Sequence, residues 1–193
     1  RDNFDPQRGR IYRVSASQPA GQRAEDADSE HEVFHDNILR SRRALQSLAE
    51  RRDPTLAAQF AAVLDESSNE CQALRALWAL NLCRSLHENE ALANDCLRHR
   101  FPAVRGWTVR LLGDQQQLSS ALAEQLVRLA RDETEASVRA QLACTAKRLP
   151  GEECLAIAAE LARNDEDAKD PYIPLLLWWA VESKSVSHRE RVL

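Results

Sequence analysis

The 193-residue chain has no methionine, five glycines and seven prolines. A natural start codon would leave a methionine, so we expect Arg1 to be a cut or processed end and the chain to be a piece of a larger protein. The chain shows no signal-peptide core at its N-terminus, and no apolar run approaches the roughly 20 residues that a membrane helix needs. Scarce glycine and proline, with hydrophobic residues at 44%, argue for an ordered helical protein rather than a loop-rich one. The five cysteines, Cys71, Cys83, Cys96, Cys144 and Cys154, form no CxxC pair and are odd in number. They therefore lack metal spacing, and at least one must be unpaired in a monomer. Most lie among alanines and leucines, where a free thiol behaves as a small apolar group. A net charge of −4 argues against wholesale binding to nucleic acid or to anionic membranes.

What is present divides into three stretches. In residues 1–14, Gly9 precedes Arg10-Ile11-Tyr12-Arg13-Val14, whose β-formers read as one strand. Residues 15–30, SASQPAGQRAEDADSE, have linker composition. Residues 31–193 read as helices. Ser29 with Glu32 three residues on has capping-box spacing, and the first helix then carries Phe34, Ile38, Leu45 and Leu48 on one face. Later stripes follow the same spacing: Leu56, Phe60, Val63 and Leu64, then Leu74, Leu77, Trp78 and Leu82, then Leu118, Leu122, Leu126 and Leu129. Asp53-Pro54, Phe101-Pro102, Gly113-Asp114 and Pro150-Gly151 supply the breaks.

A period underlies the alternation. Leu74-Arg75 precedes Val104-Arg105 by 30 residues, Val138-Arg139 follows 34 later, and Ile173-Pro174 comes 35 after that. Self-similarity at this period, made of helix pairs, is the signature of an α-solenoid. One helix pair cannot cover its own apolar stripe, so each unit must stack on its neighbours. Glu133 lies six residues before Arg139, whereas Asn69 and His99 stand six before Arg75 and Arg105.

The strings VRGWTVRLLGD and ETEASVRAQLACTAKRL resemble HEAT repeats, in which an aspartate is usual where Asn69 and His99 stand. The expected fold is thus all-α, a HEAT-like α-solenoid of antiparallel helix pairs behind a short N-terminal extended segment. GRIYRV resembles the closing strand of a sugar-dehydrogenase-like β-propeller, and DPYIPLLLWWAVE resembles a helix of the large bacterial membrane-bound dehydrogenases that carry a haem-binding domain. Those proteins run propeller, HEAT array, then a c-type cytochrome domain with CxxCH. The resemblance implies a non-catalytic scaffold lying outside the cytoplasm, with neighbouring domains of the parent chain, or another protein, as partners. Any haem would lie beyond Leu193 and none in this chain. The lone strand would be the propeller's last.

Three stretches could carry chemistry. HEVFH, residues 31–35, fits H-E-x-x-H, which on a helix offers His31 and His35 as zinc ligands and Glu32 as general base. No third ligand follows, since Ser41 stands where a metzincin places its last histidine, and Glu32 has a simpler role as a capping residue. Arg98, His99, Arg100, Arg105 and Arg110, with Phe101 and Trp107 interleaved, form a candidate phosphate-binding face, the alternative being a nucleic-acid-binding solenoid. Arg105 also belongs to the repeat pattern, where arginine ties neighbouring turns together, and acidic residues balance the rest of the chain. Trp178-Trp179 closes an apolar segment about half a membrane crossing long. We expect it in the core or at a domain interface, with a partner groove as the alternative. If Pro150-Gly151 turns between antiparallel helices, Cys144 and Cys154 come close enough to touch.

Overall fold

A computed structural model describes residues 29–192. The strand expected at 10–14 and residues 15–28 of the linker expected at 15–30 lie outside the described residues, and the linker's last two residues, Ser29 and Glu30, open the first helix instead. Twelve helices make up the described part: α1 Ser29–Glu32, α2 Ile38–Arg51, α3 Ala57–Glu66, α4 Glu70–Leu82, α5 Ser85–Glu88, α6 Glu90–Leu97, α7 Pro102–Gly113, α8 Ser120–Asp132, α9 Ala136–Ala146, α10 Gly151–Leu161, α11 Ile173–Glu182 and α12 Arg189–Val192. The fold is all-α and repeats helix pairs.

Local chemistry sets the helix ends. Asn69 caps α4 by accepting the N–H groups of Cys71 and Gln72, Asn89 caps α6 through Leu92, and Ser119 caps α8 through Leu122. Pro102 opens α7, where its missing N–H has no intrahelical partner to lose. Pro174 sits likewise in the first turn of α11, and Asp170 accepts the N–H groups of Tyr172 and Ile173 ahead of it.

The first helix differs from expectation. Instead of running from Ser29 through Leu48, it stops at Glu32 and resumes at Ile38. Asn37 starts α2 by accepting the Leu39 N–H, and the Asn37 N–H itself points at His35 Nδ1 at 2.9 Å. Two side chains thus satisfy the backbone locally and outcompete a continuous helix. Ile38, expected on the apolar face, is exposed as a result.

The pairs stack in two layers. In one, α2, α4, α7, α9 and α11 follow one another, each touching the next, and in the other α6, α8 and α10 do so. Pairing across the layers joins α3 to α4, α6 to α7, α8 to α9 and α10 to α11. One continuous core runs between them, through Leu48, Phe60, Leu77, Leu112, Leu126, Leu142 and Ile157. It grows by addition of units, as the repeat period requires. The helices of the core stack closely where residues are small: Gly113 ends α7 against Thr145 of α9, and a Cβ there would run into the Thr145 methyl.

Candidate functional site

The most organised polar chemistry in the molecule sits between units α6–α7, α8–α9 and α10–α11. Arg105, on α7, donates Nε and Nη2 to the two carboxylate oxygens of Glu133 at 2.7 and 2.6 Å. Its Nη1 donates to the carbonyls of His99 at 2.9 Å and Arg100 at 3.4 Å. Arg139, on α9, repeats this arrangement with Asp167 at 2.7 and 2.6 Å and with the carbonyls of Glu133 and Thr134 at 3.1 and 2.7 Å. Each arginine is therefore held by a bidentate carboxylate 28 residues ahead and by two carbonyls five and six residues behind. Both members of the second clamp are buried, their side chains 4% and 6% exposed.

The electrostatics follow from the geometry. Hydrogen bonds to the carboxylates raise the Arg105 and Arg139 guanidiniums above the usual arginine range. Burial pushes the Glu133 carboxyl up, but the Arg105 hydrogen bonds and the Glu135 N–H outweigh it and leave Glu133 below the usual carboxylate range. A third bidentate pair, Arg131 to Glu160 at 3.2 and 3.0 Å, joins α8 to α10 in the other layer and stands at the surface.

Each member of the expected basic face has a partner. Arg105 is neutralised, Arg100 donates to the Ser67 carbonyl and stacks on Phe101, and Arg110 lies 5.0 Å from the Trp107 ring centroid. Arg98 reaches Gln125 at 3.3 Å. Arg98 and Arg105 line an open groove of about 340 Å³ with Arg128, Asp132 and Glu133, and Arg98 and Arg100 line another of about 600 Å³ with His99, Asp65 and Asp95. Trp107 packs edge-on against Trp78, their centroids 5.2 Å apart.

HEVFH does not form one helical face, because α1 ends at Glu32. Arg40 Nη1 lies 3.1 Å from His35 Nε2 and 3.7 Å from Glu32, so both ring nitrogens of His35 face donors. His31 is exposed. Among the described residues no cluster of three or more His, Cys, Asp or Glu side chains is placed to hold a metal, and no helix is long and apolar enough to cross a membrane.

Of the two places expected for the tryptophan pair, core or domain interface, the structure excludes the first. Trp178 and Trp179 are not in the core: they are 63% and 42% exposed, with Tyr172 at 69% and Leu175 at 47% beside them. α11 buries Ile173 and Ala180 instead, so a segment apolar on all sides has only one side covered. All five thiols are free. Cys154 is buried and donates to the Ala180 carbonyl at 3.5 Å, while Cys144 lies on the open side of α9. Cys83, Cys96 and Cys154 are the buried thiols, and burial pushes all three up, Cys96 to about 12.

Sequence reading missed the carboxylate partners. Asp167 lies seven residues before Pro174, whereas Glu133 lies six before Arg139, yet the two carboxylates play the same role. The signal was available in the 28-residue step from arginine to acid. Compared with known proteins, the chain matches no family model, no curated protein and no solved structure.

Proposed function

We propose that the chain is a non-catalytic scaffold and interaction module built of HEAT-like repeats. The observation that supports this reading is the repeated clamp. Arg105 and Arg139, the cations held most completely, each bind a carboxylate of the next unit of the array. Such groups stiffen the stack and leave it with a fixed end-to-end geometry, which is what a spacer between other domains requires. The resemblance of GRIYRV and DPYIPLLLWWAVE extends the proposal: the array spaces a dehydrogenase-like propeller and a c-type cytochrome domain outside the cytoplasm. The haem then belongs to the cytochrome domain, and this chain holds no cofactor.

Cross-linking with mass spectrometry in native extracts tests the reading. Exposed Lys147 and Lys169 should link to a polypeptide bearing a CxxCH haem motif. Links only to haem-free partners would remove the redox assignment, and an absence of protein links would remove the scaffold. For the nucleic-acid alternative, labelled duplex and single strands should stay unbound at about 50 mM salt, where phosphate contacts are strong.

A further inference from the structure

Helix α11 departs from the helices it stacks on. Val104, Val138 and Ile173 are buried in the first turns of α7, α9 and α11 and set a common register along the layer. In that register Gly106 and Ala140 share one position, and Val109 and Ala143 share another one turn on. These small residues form the face on which the following helix sits. A Cβ on Gly106 would lie 3.8 Å from the Val138 methyl, and the Val109 carbonyl accepts from the Thr145 hydroxyl at 3.4 Å.

At the same two positions α11 carries Leu175 and Trp178, and both are exposed. The stacking face therefore continues past α9 but becomes bulky. A further helix pair seated at the close α7–α9 spacing would collide with these side chains, so the cover differs from another unit of this array. Tryptophan and tyrosine at the centre of an apolar patch are the composition of protein–protein hot spots.

Building on the interaction-module reading, we infer that this face docks a second copy of the chain, α11 against α11 about a two-fold axis. The four side chains Tyr172, Leu175, Trp178 and Trp179 leave roughly 500 Å² of apolar surface uncovered, taking about 150–250 Å² for each aromatic. Two copies together remove about 1,000 Å², the lower bound for a specific interface. The charges around the patch complement themselves. Lys169 and Asp170 precede α11, and Glu182 and Lys184 follow it. Antiparallel pairing sets Lys169 opposite Glu182, twice, while Asp170 caps α11 and Lys184 donates to the Lys147 carbonyl. Self-complementarity of one patch is what an isologous dimer requires.

Sedimentation equilibrium on the whole 193-residue chain, between about 1 and 200 μM, is the test. Wild type should approach twice the monomer mass. Trp178→Glu should raise the dissociation constant at least about 100-fold with an unchanged circular dichroism spectrum, because the side chain is mostly solvent-exposed in the monomer. Lys169→Glu should weaken the dimer, and adding Glu182→Lys should restore it. A wild type monomeric throughout overturns the inference but leaves the scaffold proposal to its cross-linking test. A dimer indifferent to Trp178→Glu, or growth past the dimer without limit, also overturns it, the latter in favour of head-to-tail stacking.

Discussion

Arg75 and Arg139 hold the same place in the repeat and meet different oxygens. Arg139 reaches forward to Asp167 in the next unit, while Arg75 turns back and donates Nη1 to the His35 carbonyl at 2.9 Å. The difference lies in the residue six before the next arginine. Glu133 fills that slot for Arg105, but His99 fills it for Arg75. A histidine ring cannot accept a bidentate guanidinium, and His99 directs its Nε2 to the Leu64 carbonyl at 3.3 Å instead. Its neighbour Arg100 bonds the Ser67 carbonyl. The early units are thus tied by cations and rings on carbonyl oxygens, and the later ones by ion pairs. One slot residue decides which chemistry joins two units, while the apolar stacking stays the same.

The largest expected effect breaks the later clamp. Arg139→Ala leaves Asp167 buried without its partner, and should lower stability by about 3–5 kcal/mol. Arg75→Ala removes one charged donor from a carbonyl and should lower it by about 1.5 kcal/mol. Urea unfolding of the two variants checks the pair. Replacing both Arg139 and Asp167 with leucine should recover most of the loss, because the desolvated charges leave together. Equal effects at Arg75 and Arg139 would show that the clamp adds nothing beyond a single hydrogen bond.

Packing between α7 and α9 offers a second contrast. Gly113→Ala drives a methyl into Thr145 and should destabilise by about 2 kcal/mol. Gly106→Ala has 3.8 Å of room to Val138 and should gain up to about 1 kcal/mol from helix propensity. Thermal melts of the two variants should move in opposite directions.

Much of this was legible in the sequence, for physical reasons. Proline and glycine punctuate backbones locally, so Pro102 and Gly113 marked the two ends of α7, and Gly151 the start of α10. The apolar stripes gave the stacking because burial depends on spacing alone. The break after Glu32 was harder to read, since it depends on Asn37 and His35 acting together on one stretch of backbone. The exposure of Trp178 was not legible either. A helix apolar on every side reads as buried, and nothing in its own residues says that only one side is covered. The partners of the basic residues were hidden for a related reason: Arg98, Arg100 and Arg105 cluster in sequence, but each reaches a residue beyond its own element, while Arg110 stacks on Trp107 of its own helix.

The two regions should also separate by pH. Burial holds His87 and His99 below the ordinary histidine value of 6.5, although the Asp114 charge and the Leu64 carbonyl respectively pull the other way. A depressed folded value favours the neutral ring. That contribution is therefore complete above about pH 6.5 and is lost as pH falls through the folded values. Glu133 is depressed below its ordinary 4.5, so its contribution persists to lower pH and is lost as pH falls through its own folded value. Hydrogen exchange corrected for intrinsic rates should show residues 85–101 losing protection below about pH 6.5 while residues 133–146 keep theirs to about pH 4.5. Simultaneous loss would remove the distinction between the regions.

The smallest effect concerns backbone strain, which the early units hold more of. Arg52 and Arg84 have φ of 51° and 64°, whereas the later units contain only Gln116, at 58°, among the described residues. Arg84 joins α4 to α5 with its N–H on the Asn81 carbonyl, and the side chain is exposed. A left-handed conformation costs an L-residue about 1–2 kcal/mol that glycine avoids. Glycine loses more freedom on folding, which offsets part of the gain. Arg84→Gly should therefore stabilise the chain by about 0.5 kcal/mol, seen as a small rise in the urea midpoint with the slope unchanged. Gln116→Gly should give a similar gain in the later units. A loss at Arg84 would mean that its side chain, and not its backbone, fixes the α4–α5 turn.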